Sequence, residues 1–385
     1  MSTDTPSSRG GLGGSSPRGS TALYPAERVS AVAAAVRGAG VDALLLTPGP
    51  DLRYVTGYDA HQLERLTCLV IPADGDPFLL VPQLELKAAQ ASPAGGLDVE
   101  LVTWGEITSP FGIISRRIRR PESVALSDRM WALHVLAFAE LFPQASQRLA
   151  STVLSPLRVR KSAAEVQALR EAGQAIDRVH AKVPGWLTPG ATERQVGAKI
   201  AEAIIAEGHA TVDFVIVGSG PNAASPHHEV SDRVLQRGDV VVVDIGGTMP
   251  SGYCSDCTRT YAIGEPPADF AKYYAVLKDA QDQACEKAGP GVPAQEVDRT
   301  ARGIIAGAGY GEWFIHRTGH GIGLETHEDP YIVEGNDAEL EAGMAFSVEP
   351  GIYPGPHGAR IEDIVVCTGG GHERLNNAPR DLVIV

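Results

Sequence analysis

The chain has 385 residues, 43% of them apolar, and a formal net charge of −14. That length suits two domains with a core each. The acidic balance argues against a nucleic-acid groove or an anionic membrane surface as the main partner, and no apolar run reaches membrane-spanning length.

Residues 1–22 are dominated by Gly, Ser and Pro and lack the apolar stretch of a secretory signal. They are expected to form a disordered tail. Ala26 to Gly40 reads as a helix and Val41 to Leu46 as a buried strand. A turn is expected over Tyr54 to Tyr58, then strands at Leu66 to Ile71 and Phe78 to Val81. Alternating strands and helices make this first domain, residues 23–155, α/β. A boundary is placed near Ser155 to Ser162, where a proline and a basic run precede Ser162. Ser162 and Glu165 have capping-box spacing for a helix running to about Val183.

Residues 156–385 contain an internal repeat. PGATERQVGAKIAEAIIAEGH from Pro189 aligns without gaps to PGVPAQEVDRTARGIIAGAGY from Pro290. Each copy reads as an amphipathic helix entered through Pro-Gly, ended by Gly, and followed by strand-like sequence. Two such units suggest a pseudo-symmetric domain with a site between its halves. Strands are expected at Val212 to Val217, Val240 to Ile245, Tyr253 to Ile263, Ala345 to Glu349 and Ala359 to Cys367.

Chemistry concentrates on these strands. Asp244 ends the run VVVVD, and Asp256 lies across a Gly/Pro loop on the neighbouring strand. Two such carboxylates repel unless a cation lies between them. His320 is flanked by glycines in HRTGHGIG, which lets the backbone approach a site closely. His316 and His327 lie four residues before and seven after it. Glu349 precedes a Pro-Gly turn in SVEPGIY, and Glu362 interrupts an apolar run in ARIEDIVV. Four carboxylates and one imidazole suit hard or borderline divalent ions, and so much negative charge favours two of them. Cys254 and Cys257 bracket Asp256, but with no second pair they read as ordinary buried cysteines. Five cysteines in all, without framework spacing, suit a reducing cytoplasm.

The strings VVVDIG, SDCTRTY, HRTGHGIGLETHE, SVEPGIY and RIEDIV follow in this order. They resemble the metal-binding motifs of the pita-bread metallopeptidases, strongly from Arg160 onwards. The proline-specific branch, Xaa-Pro dipeptidases and Xaa-Pro aminopeptidases, is the nearest in pattern. The resemblance implies an α+β pita-bread domain behind a smaller α/β domain. It implies two divalent metal ions (manganese foremost, cobalt or zinc as alternatives) on Asp244, Asp256, His320, Glu349 and Glu362. Asp256 and Glu362 would bridge the ions, and Glu349 would double as proton carrier. His227, His327 and His316 would contact substrate, and Arg360 would stand behind the carboxylates and hold them. His228 has no assigned role. A homodimer acting on Xaa-Pro dipeptides is the expectation. An aminopeptidase acting on longer peptides is the alternative, and a non-catalytic pita-bread binding protein is disfavoured because all five ligand positions are kept. Arg65 and Arg53, with Tyr58 nearby, are candidates to receive the dipeptide carboxylate, in the chain itself or from a partner subunit.

Overall fold

The computed structural model describes residues 23–385. The expectation of a disordered tail falls on residues 1–22 and lies outside them. Among the described residues no helix is long and apolar enough to cross a membrane.

The N-terminal unit is built on a six-stranded sheet ordered β4-β3-β2-β1-β5-β6. Its strands are β1 Ala43–Leu46, β2 Cys68–Pro72, β3 Phe78–Pro82, β4 Glu100–Trp104, β5 Ser123–Leu126 and β6 Ser146–Leu149. The central three and β5 are buried throughout, as their unbroken apolar runs require. The turn expected at Tyr54 to Tyr58 is instead the end of a helix, Pro50–Thr56, which Gly57 closes at φ 70°. Pro50 in its first turn supplies the helical φ, and Gly57 supplies the left-handed residue that stops it.

The helix Ser151–Arg158 leads out of this unit and crosses the 155/156 division. The next helix, Ala163–His180, carries the expected capping box: the Glu165 carboxylate accepts from the Ser162 amide, and Ser162 Oγ from the Glu165 amide. It stops at His180, short of Val183, where a separate 3₁₀ turn begins.

The repeat is visible in the hydrogen bonds. Helices Glu193–Ala206 and Ala294–Gly307 have equal length. Gly190 donates to the Leu235 carbonyl, and Gly291 donates to that of Leu340. Leu235 returns a bond to Ala191, and Leu340 returns one to Val292. The first copy feeds β7 Thr211–Ser219, β8 Val240–Thr248 and β9 Cys254–Ala262, in a sheet closed by β17 Val383–Ile384. The second feeds a sheet ordered β11-β10-β12-β15-β16. Those strands are β10 Gly319–Gly321, β11 Glu328–Ile332, β12 Ala345–Val348, β15 Asp363–Thr368 and β16 Gly371–Arg374. A short ladder of β13 Gly351–Ile352 and β14 Ala359–Arg360 lies between them in the chain. The continuous strand expected over Ala359 to Cys367 is therefore broken, with Ile361 and Glu362 outside both strands. At this break the Glu362 amide donates to the Thr258 carbonyl of β9, joining the two sheets.

Candidate metal centre and active site

The β8–β9 hairpin sets the first two carboxylates. Its register pairs Asp244 with Thr258 and Gly246 with Asp256. Residues two apart share a face, so Asp244 and Asp256 point to the same side. Gly246 opposite Asp256 is required by packing, since a Cβ there would run into the Phe214 ring. His320 comes from β10, squeezed between β11 and β12. Cβ atoms on its flanking glycines would strike the Ser347 carbonyl from Gly319 and the Asp329 carbonyl from Gly321. Glu349 follows β12, and Glu362 sits at the break between β14 and β15.

All five side chains line one cavity of about 640 Å³. Ligand atoms of Asp256, His320 and Glu362 lie within 4.8 Å of one another. Asp244 and Glu349 stand at the edge of that group. Asp244 is drawn to Arg360 Nη2 at 2.6 Å, and Glu349 to His320 Nε2 at 3.2 Å and Ser347 Oγ at 3.1 Å.

Burial pushes Asp256 well above the usual carboxylate range, and repulsion from Glu362, Asp244 and Glu349 pushes it further. Burial does the same to Glu362, aided by the charges of Glu349 and Asp244. Asp244 is also raised by burial, against the pull of Arg360. Glu349 is the exception. Burial opposes its charge, but the bond to His320 and the cations around it hold it at about 2. Oδ1 of Asp244 and Oε1 of Glu362 are sealed from solvent and accept no hydrogen bond. Buried orphaned carboxylate oxygens on the wall of one cavity are costly in the absence of a cation. The donor set fits divalent ions on that ground.

Around this cluster the histidines divide by role. His228 Nε2 meets Glu193 Oε2 at 2.8 Å, which ties it to the framework, while both it and His227 line the cavity. His327 stacks edge-on against His320 with ring centroids 4.0 Å apart, and burial, then the charges of His320 and Arg317, lowers it to about 4. His316 Nε2 meets Tyr353 Oη at 3.0 Å, and Arg360 Nη1 donates to the same oxygen at 2.8 Å. A chain His316–Tyr353–Arg360–Asp244 therefore reaches the carboxylates.

Several participants escaped the sequence reading. Tyr353 lies within SVEPGIY, and Ser347, on β12, is two residues before Glu349. Thr258, opposite Asp244, donates to Glu362 Oε2 at 2.8 Å. Period-two counting along the strands would have found Thr258 and Ser347. Arg158 had no such signal. Its guanidinium binds Asp51 at 2.7 Å, Glu325 at 2.7 Å and Glu328 at 2.6 Å, gripping both sides of the segment that carries His327.

Arg65 and Arg53 do not reach the cavity within the chain. Arg65 pairs with its neighbour Glu64 at 2.8 Å and lies 3.9 Å from Glu106 at the surface. Arg53 binds Asp59 at 2.9 Å and the Pro250 carbonyl at 2.7 Å, beside a different cavity that it shares with Tyr24 and Tyr58. Nearby acceptors hold each of them. Cys254 and Cys257 are free and buried, an odd number of residues apart on β9 and so on opposite faces.

Residues 167–369 match the model of metallopeptidase family M24, and residues 28–160 match the creatinase/prolidase N-terminal domain. The chain belongs to metallopeptidase family M24. The M24 fold seen here superposes on dipeptidase PepE from Mycobacterium ulcerans with a TM-score of 0.89. That match has 53% identity and covers 95% of this chain and 98% of the other. A prolidase from Thermococcus sibiricus gives a TM-score of 0.86 at 38% identity, covering 93% and 98%. The Xaa-Pro dipeptidase of Lactobacillus helveticus is 37% identical over 87% of this chain and 92% of its own length. The two-domain α+β architecture expected from the motifs is thus the architecture of M24 peptidases with a creatinase-type N-terminal domain.

Proposed function

We propose that this M24 chain is a metal-dependent Xaa-Pro dipeptidase. One observation carries the reading. Three buried carboxylates, the part-buried Glu349 and an imidazole surround a single cavity, and two of the carboxylate oxygens have no partner in the protein. The names of the relatives support the proline-specific dipeptide as substrate.

Two divalent ions would be held by Asp244, Asp256, His320, Glu349 and Glu362. When bound, they supply Lewis-acid activation of a water and of the scissile carbonyl. The protein's own groups do the rest. Glu349, held as a carboxylate, accepts a proton from the attacking water and passes it to the proline nitrogen as the C–N bond breaks. His327, neutral at pH 7, and His227 offer N–H donors to the developing oxyanion. Arg360 keeps Asp244 oriented, and Thr258 does the same for Glu362. The free amine of the substrate faces the carboxylate-rich wall, which confines cleavage to the first bond. The Xaa-Pro bond has no N–H to recognise and a ring of fixed shape. The His316 ring, which lines the cavity and is backed by Tyr353 at a centroid distance of 5.5 Å, offers a wall for it.

The reading extends to a manganese pair, a homodimer and a cytoplasmic location. The oxygen-rich donor set supports manganese. The exposed Leu133 and Leu136 on the helix Ala132–Leu141, with the exposed Trp131 just before it, support a second copy as partner. Five free buried cysteines support a reducing compartment.

A cleavage panel of Xaa-Pro, Xaa-Pro-Yaa, Met-Ala-Yaa and Xaa-Ala peptides tests the assignment. Xaa-Pro hydrolysis should vanish after chelation and return with manganese or cobalt. Activity indifferent to chelation, or preference for Met-Ala-Yaa, would overturn it.

A further inference from the structure

We infer that Arg317 is the receptor for the substrate's C-terminal carboxylate and so sets the preference for dipeptides. The inference rests on the proposed peptidase reading and replaces Arg65 and Arg53 in that role.

Two arginines line the cavity, Arg317 and Arg360. Arg360 is engaged by Asp244, Tyr353 and the Pro226 carbonyl. Arg317 is half-buried, and among the described residues its guanidinium has neither a carboxylate within 4 Å nor a hydrogen-bond acceptor. Its one close partner is a ring face. The guanidinium carbon sits 4.4 Å from the centroid of Tyr331. Such stacking fixes the plane of the group and leaves its N–H edge free. A free guanidinium edge matches a carboxylate with two parallel hydrogen bonds.

The surroundings make an idle cation here unusual. The same cavity is lined by Asp213, Glu229, Asp244, Asp256, Glu349 and Glu362. Across that acidic wall a substrate carboxylate is repelled wherever a cation does not meet it. The chain direction fits too. Arg317 immediately follows His316, assigned above to the proline wall, and a proline's carboxylate lies beside its ring. Tyr331, on which Arg317 stacks, also lines the cleft between the N-terminal and C-terminal units, as His327 does. A carboxylate bound at Arg317 ends the substrate one residue after the cut.

The test compares Ala-Pro with Ala-prolinamide, which lacks the charge, on the manganese-loaded enzyme. The wild type should favour the dipeptide. In Arg317→Met the dipeptide-to-amide ratio of kcat/KM should fall about 10- to 100-fold, through KM rather than kcat, as expected for a lost charge-assisted bidentate contact. Arg317→Lys should recover part of that ratio. An equal loss for both substrates, or an unaltered ratio, overturns the role. If the wild type cleaves neither substrate, the peptidase reading fails by itself. Calorimetric binding of L-proline against L-prolinamide then decides Arg317 separately. A preference for L-proline that Arg317→Met abolishes upholds the receptor, and one that survives the substitution removes it.

Discussion

Glu193 and Glu362 are both buried glutamates in the C-terminal half, and they are treated in opposite ways. Glu193 accepts from the Ser219 amide and hydroxyl, Asn222, His228, and the Ser231 amide and hydroxyl. Burial alone would raise it, but those donors win and hold it at about 2. Glu362 has one donor, Thr258, an orphaned second oxygen and three acidic neighbours, and it is pushed well up. A buried acid surrounded by donors is framework. A buried acid surrounded by other acids is a place for a cation.

The comparison breaks first at Glu362. Glu362→Gln should lower Xaa-Pro hydrolysis by about three orders of magnitude, the loss of several kcal/mol of transition-state stabilisation. In excess chelator the same variant should unfold at an equal or higher urea midpoint than the wild type, because repulsion has been relieved. A midpoint well below the wild type's would make Glu362 framework after all. Glu193→Ala should do the reverse. Six donor groups lose their acceptor, and unfolding free energy should drop by about 2–4 kcal/mol, read by urea denaturation. Metal stoichiometry by calorimetry should stay as in the wild type, and its loss would place Glu193 in the site.

A smaller effect extends the contrast to a base. His180 is fully buried between Tyr261 Oη and the Cys257 carbonyl. Burial, then the charge of Arg259, depresses it to about 3. The unfolded chain binds that proton near pH 6.5. Stability from the neutral ring is therefore full above pH 6.5 and declines as the pH falls towards 3. Urea midpoints taken from pH 7 to 5 should fall, and His180→Gln should flatten the slope. An unchanged slope would mean that the ring carries no such linkage.

The five ligand candidates were legible because each sits where local sequence is unusual. Asp244 and Glu362 interrupt apolar runs, and His320 sits between glycines that nothing but close strand packing requires. Much of the fold was legible for related reasons, as Ser162 with Glu165 and the paired Pro-Gly entries each signal a helix start. The break at Ile361–Glu362 was not, since an apolar run looks the same whether or not the ladder continues through it. Nor was the arginine assignment. Arg65, Arg53 and Arg317 are alike as letters, and only distance shows that the first two are paired while the third faces a ring. Arg158 was hidden for the same reason. Its partners Asp51, Glu325 and Glu328 are far away in the chain.

The Arg158 contacts bear on how the two domains depend on each other. Arg129 of the N-terminal unit adds a bond to Glu325 at 2.7 Å, and Lys161, just after the division, binds Glu328 at 2.6 Å. The ion pairs therefore join the His327 segment to the N-terminal unit at two points, Arg129 directly and Asp51 through Arg158. A fragment beginning after that unit would keep the five ligand positions yet lose Asp51 and Arg129, leaving the His327 segment tethered by Arg158 and Lys161 alone. The smaller domain thus works as a jig for the larger one's chemistry, and excising it should leave a protein able to take up cations but slow to cut.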